Sequence, residues 1–152
     1  MLTPDSGKLK ITFCETAPAP DCCEVYATFL YNQHPQYNIL EVHAMAHGLL
    51  NGLMDIRRAP NIWADYEELW EDLDNPPQLL PVCREYADHI MSIKEDPQKL
   101  FAHIYTRHMG DLSGGQMIRK KIPGSGTLYD LSLIHISEPT RLLSIADAGV
   151  GV

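Results

Sequence analysis

Between Leu100 and Gln116 the chain reads LFAHIYTRHMGDLSGGQ, and here residue types and spacing could do chemistry. Gly110, Gly114 and Gly115 fall within six residues. Each costs a helix interior about 0.5–1 kcal/mol relative to alanine. What glycine offers in return is close approach: without a Cβ, a main chain can lie against a flat ligand or a neighbouring helix. Tyr105, Arg107 and Asp111 lie in the same stretch, with Arg107 and Asp111 four apart, so a helix puts those two side chains on one face. Three readings compete. A helix end, with Gly110 or Gly114 as C-cap, accounts for one glycine and not for three. The run Leu112–Gln116 spells LSGGQ, a signature loop of ATP-binding-cassette ATPases, but the phosphate cradle GxxxxGK[ST] that must accompany it is missing: the one Gly-Lys pair, Gly7-Lys8, has no glycine five residues before it. The third reading is a helix seated on a flat ligand.

The run Ala102–Gln116, AHIYTRHMGDLSGGQ, resembles the signature of the haem oxygenases, A-H-x-Y-T-R-Y-[LM]-G-D-L-S-G-G-Q, and departs from it only at His108, where tyrosine is common. Tyr37-Asn38-Ile39-Leu40-Glu41 resembles the family's Y-x-x-L-E on an earlier helix. The resemblance covers about Glu24 to Lys121. It implies an all-α, multi-helical bundle that binds haem between two helices and uses O₂ and an external electron donor, a ferredoxin or a flavoprotein reductase, to open the ring to biliverdin, carbon monoxide and iron. Haem is then both substrate and cofactor, and the protein supplies orientation and polarity. By the same resemblance Gly110 and Gly114 let the distal helix bend and touch the haem face, and Asp111 holds a water that delivers protons. Arg107 and Tyr37 join that hydrogen-bond network, Tyr105 lies near a propionate, and Ser113 and Gly115 complete the haem-contacting set.

The family's axial ligand is a histidine on a first helix, and this chain has no histidine before His34. The expected metal ligand is therefore unknown. His43 and His47 have the i, i+4 spacing of a metal clamp but no evident third ligand. His103 is expected as a packed or hydrogen-bonded core residue, and His89 and His108 as partly exposed. Arg119-Lys120-Lys121 reads as a solvated helix end rather than a propionate clamp. Di-iron oxidases, which share this helical fold, need Glu-x-x-His pairs; none occurs in the sequence. A non-catalytic haem-binding or helical scaffold fragment stands as the alternative.

The elements that must position these residues are helical. Val25, Phe29, Tyr37, Leu40, Met45, Leu49, Leu50, Leu53 and Met54 recur at three-to-four spacing from Glu24 onward. Pro35 either splits or kinks that run, and Pro60 closes it. A second helix is expected from Asn61 or Asp65, its acids Asp65 to Asp74 forming a solvated face, until Asn75-Pro76-Pro77 breaks it. A third helix is expected over about Pro81–Ile93 and a fourth from Asp96 or Pro97, the proline suiting a first helical position.

The domain organisation follows: 1–23 irregular, with Pro18 and Pro20 admitting no regular element across them; 24–130 the helical domain; 131–152 a tail. Leu131–Arg141 resembles a translated sequencing adapter, the transposon-end sequence of library preparation encoding those eleven residues codon for codon, so it is set aside from fold reasoning. Residues 1–23 stand where the first helix belongs and look nothing like it, as a shifted reading frame in the source gene would produce. The bundle is thus expected to be incomplete at both ends.

Composition excludes other classes. Of 152 residues, 45% are hydrophobic and 21% charged, globular values that rule out wholesale disorder. Twelve Lys and Arg against 20 Asp and Glu give a net charge of −8, unsuited to nucleic acid. No apolar window is long enough for a membrane span. The first residues lack a secretory signal, and Cys14, Cys22, Cys23 and Cys83 follow no disulfide or zinc spacing, so a cytoplasmic protein with reduced thiols is expected.

Overall fold

The computed structural model describes residues 20–130, with side chains from Cys22 onward. The expectations for 1–19, for Cys14 and for the tail after Asp130 lie outside the described residues. Helix α1 spans Pro20–Ala46, α2 Ala59–Leu69, α3 Pro81–Ser92 and α4 Pro97–Arg119, with 3₁₀ turns at Met54–Ile56 and Thr127–Tyr129. Among the described residues there is no strand, and the all-α expectation holds.

Each boundary has a local cause. Helix α1 opens at Pro20, four residues before the periodicity becomes readable, and runs through Pro35 as a single helix rather than two. Gly48, at φ +72°, turns the chain after α1 in a conformation that L side chains rarely adopt. Pro60 opens α2 instead of closing the segment before it, because a missing N–H costs nothing in a first helical turn. The cap for α2 comes from afar: the Glu41 carboxylate of α1 accepts from the Ala59 backbone N–H at 3.3 and 3.4 Å. Helix α2 ends at Leu69, before the Asn75-Pro76-Pro77 break. Pro97 lies in the first turn of α4, and Asp96 caps it by accepting from Lys99 N–H at 3.1 Å.

Two apolar clusters share α1. Its second half packs Leu40 and Ala44 with Leu49, Leu50, Leu53, Ile56, Ile90, Leu100 and Ile104. Ala27, Leu30 and Tyr37, nearer its start, pack with Ala59, Ile62, Tyr66, Leu128 and Tyr129. Val25 and Phe29 sit on the helical spacing yet face outward, at 69% and 44% exposure; the inward positions are Ala27 and Leu30, one turn apart on the opposite side. The segment after α4 is fastened to α2 by carboxylates. Asp65 accepts from Leu128 N–H at 2.8 Å, from Thr127 N–H at 2.9 Å and from the Thr127 hydroxyl, and Glu68 accepts from Ser125 N–H at 3.1 Å. Asp65 is therefore buried, not part of a solvated face: three donors satisfy it, which is what a carboxylate needs before it leaves water.

Candidate functional site

Where α1 and α4 meet, the Tyr37 hydroxyl donates to Asp111 Oδ2 at 2.6 Å, joining residues 74 positions apart. Burial, and secondarily the Asp111 charge, push the Tyr37 phenol well above its ordinary range, so it keeps its proton and donates. Asp111 itself is partly exposed. One turn earlier on α4, the Arg107 guanidinium lies 4.3 Å from the Tyr37 ring centroid and 4.9 Å from that of Tyr86. It also donates to Gln33 Oε1 at 2.8 Å and Gln36 Oε1 at 3.0 Å. Arg107 and Asp111 thus hold one tyrosine by its face and by its hydroxyl, and α4 is clamped to α1 at that point.

The glycines divide. Gly110 and Gly114 lie inside a continuous helix, which excludes the C-cap reading, and among the described residues a Cβ at either would meet nothing within 4 Å. Ser113 is exposed beside them, its Oγ turned back to Met109 O at 3.0 Å and Gly110 O at 3.2 Å. Tyr105 is 37% exposed on the same helix. Gly115 faces the other way: a Cβ there would overlap the Tyr129 ring. Its near neighbour is thus Tyr129, where Gly110 and Gly114 have open space beside them.

Arg58 is the residue that sequence reasoning missed. Its side chain is buried, Nη1 donates to Leu128 O at 2.9 Å, and Nε stands 3.7 Å from Asp111 Oδ2. Burial lowers its pKa and the Asp111 carboxylate opposes that shift. The available signal was position: Arg57-Arg58 stands directly ahead of a helix start, where the macrodipole disfavours cations, so a basic pair there needs an acidic neighbour. Glu41 and Asp111 supply it, Arg57 Nε lying 3.4 Å from Glu41.

His108, expected to be partly exposed, is 1% exposed, because its Nε2 lies 3.1 Å from Glu41 and its ring meets Tyr37 edge-on at 5.5 Å. His103 is half-buried and paired to the Tyr86 hydroxyl at 2.7 Å, and His89 is exposed. His43 touches Met91 Sδ at 3.2 Å and His47 the Lys94 carbonyl at 2.7 Å. Among the described residues no group of three His, Cys, Asp or Glu is placed to hold a metal. Arg119 pairs with Asp130 at 3.3 Å at an exposed helix end.

Tested against haem, these residues fit the distal half of a site. Gly110 and Gly114 leave open backbone for a flat ring, and Asp111 stands next to them on α4. Arg58 Nε and Nη2 and Arg107 Nε are buried donors with no hydrogen-bond acceptor among the described residues, the kind of atom that ordered water satisfies. Among the described residues no histidine precedes His34, so the ligand that the resemblance puts on an earlier helix is not among them.

A family model described as "Heme oxygenase" matches residues 22–139, running nine residues into the adapter-like stretch. The heme oxygenase of Guillardia theta is 45% identical over 56 residues, 36% of this chain and 22% of the relative. That of Pyropia yezoensis is 41% identical over 66 residues, 43% of this chain and 26% of the relative. Heme oxygenase 2 of Oryctolagus cuniculus is 35% identical over 81 residues, 48% of this chain and 26% of the relative. No solved structure matches significantly. The chain spans about a quarter of the length of the curated relatives it matches. With a family match over more than three quarters of its residues and the signature carried on α4, the chain belongs to the haem oxygenase family.

Proposed function

We propose that this chain is the distal part of a haem-degrading enzyme, which opens haem with O₂ and external electrons to release biliverdin, carbon monoxide and iron. The observation that carries the reading is the Tyr37–Asp111 hydrogen bond at 2.6 Å beside the open backbone of Gly110 and Gly114. Bound haem supplies the iron at which O₂ is reduced and the carbon that is oxidised. The protein's own part is steric and protonic. Gly110 and Gly114 let the ring approach the main chain, and the helix then restricts where O₂ can lie. Tyr37 occupies Asp111 Oδ2 and leaves Oδ1 to accept from a water, so the carboxylate orders that water without binding metal. Arg107 keeps the Tyr37 ring in place. Ser113 and Tyr105 border the open face, Tyr105 reaching toward a propionate.

A ferredoxin or a flavoprotein reductase is the proposed electron donor, and the cytoplasm the proposed compartment. Among the described residues no helix is long and apolar enough to cross a membrane. The alternative, a helical fragment that binds haem without turning it over, draws support from the histidines: His43, His47, His103 and His108 already engage Met91, Lys94, Tyr86 and Glu41. Haemin titration followed by O₂ and ascorbate separates the readings. A Soret band that gives way to biliverdin absorbance supports the enzyme. A band that persists supports the binder, and no band sinks both.

A further inference from the structure

We propose that His108 is a positioning residue: an imidazolium that bridges the Ile104 carbonyl and the Glu41 carboxylate and so fixes the height of α4 against α1. Both ring nitrogens face acceptors, Nδ1 the Ile104 oxygen and Nε2 the Glu41 Oε1, each at 3.1 Å. A neutral imidazole carries one N–H and one lone pair. Either neutral tautomer would therefore set a lone pair against an oxygen at that distance, and the doubly protonated ring alone satisfies both.

Glu41 is lined by donors. Fully buried, it also accepts from Arg58 N–H, from Ala59 N–H at 3.3 Å and from Arg57 Nε at 3.4 Å, so these neighbours too present it with N–H groups. Of the charged and titratable groups, Glu41 and Tyr37 of α1 meet the ring, Arg57 and Arg58 from the approach to α2 contact Glu41, and Asp111, one turn further along α4, contacts Tyr37. His108 meets the Tyr37 ring edge-on, and Tyr37 carries the bond to Asp111. A shift of His108 thus moves the tyrosine that occupies Asp111. The family signature commonly has tyrosine here, which could offer Glu41 one O–H donor; this chain offers it a charge and adds a second bond along its own helix.

The kinetic consequence rests on the haem-opening reading; the charge state does not. The first measurement is the ring ¹⁵N spectrum of the ¹⁵N-labelled chain at pH 7, with H108Q to assign the signal. Protons on both His108 nitrogens are expected, and a neutral tautomer overturns the proposal. The second compares biliverdin formation in H108F and H108Y. Removing the donor in H108F should slow it about 10–100-fold, the usual effect of losing a group that orients a reacting one, and H108Y should recover most of that loss. Parent-like rates in H108F, or H108Y no faster than H108F, overturn the role. Should the parent chain itself form no biliverdin, the functional reading fails and the ¹⁵N spectrum still decides the charge.

Discussion

Helix α4 has two faces that use the same residue type for opposite ends. On one, Gly110 and Gly114 leave space that no other described residue fills; on the other, Gly115 exists because the Tyr129 ring occupies the place of a Cβ. The inward face is built from long-range pairings, His108 to Glu41 and Gln116 Nε2 to Tyr129 O at 2.9 Å. The outward face carries Ser113, whose bonds among the described residues run back to its own helix. Substitutions facing inward should therefore act first on stability, His108 alone reaching turnover as well through its contact with Tyr37, and those facing outward on ligand and turnover.

The largest effect is expected at Glu41. Glu41→Ala would strand His108 and Arg57 and uncap α2, and breaking a buried ion pair costs about 3–5 kcal/mol. Urea denaturation should find the variant unfolded or nearly so; a midpoint close to the parent's would show that the inward face is not held by charge. Gly115→Ala follows. It drives a methyl into Tyr129, and overpacking costs about 1–3 kcal/mol. Thermal melting should separate it cleanly from the outward glycines.

How much of this contrast the sequence disclosed depends on how far apart the interacting residues lie. Gly110, Asp111 and Gly114 sit in one contiguous run, so their association was legible there. The contact of Asp111 with Tyr37 spans 74 positions and came only through resemblance. His108 and Asp65 were misjudged for one reason: a polar side chain reads as exposed until its distant counterpart is known, and Glu41 and Thr127 are distant. Arg58 was missed because its carboxylate lies on another helix. Gly115 could not be told from its neighbours, since what distinguishes it is a ring 14 residues further on. The helical class, by contrast, needed no distant information, and Pro97 marked its boundary locally.

Alkaline pH offers an intermediate test of the interior. Burial raises the phenol pKa of Tyr26, Tyr37 and Tyr129 in the folded chain. A raised folded pKa means the stability contribution is complete below the unfolded value of about 10 and is lost as pH climbs beyond it. Stability should be insensitive to these groups from pH 7 to 9, then fall by up to about 1.4 kcal/mol per pH unit for each tyrosine still protonated in the fold. Tyr37→Phe should make that decline shallower by one tyrosine's share. An unchanged slope would mean that Tyr37 ionises freely and cannot be a constant donor to Asp111.

The smallest stability effect, and the most informative, belongs to Gly110→Ala and Gly114→Ala. With no atom of the described residues within 4 Å of the new methyl, neither variant should meet a clash. Both glycines have ordinary helical backbone, so alanine should stabilise each by about 0.5–1 kcal/mol through the unfolded chain's lost freedom. If the bare backbone serves only the helix, that gain would come without loss. If it seats a flat ring, the same methyl stands where the ring must lie, and haemin affinity or biliverdin formation should fall while the melting temperature rises. Opposite signs in two measurements on one variant are hard to produce by misfolding. A rise in both would leave the glycines without a ligand to explain them, and the outward face would lose its difference from the inward one.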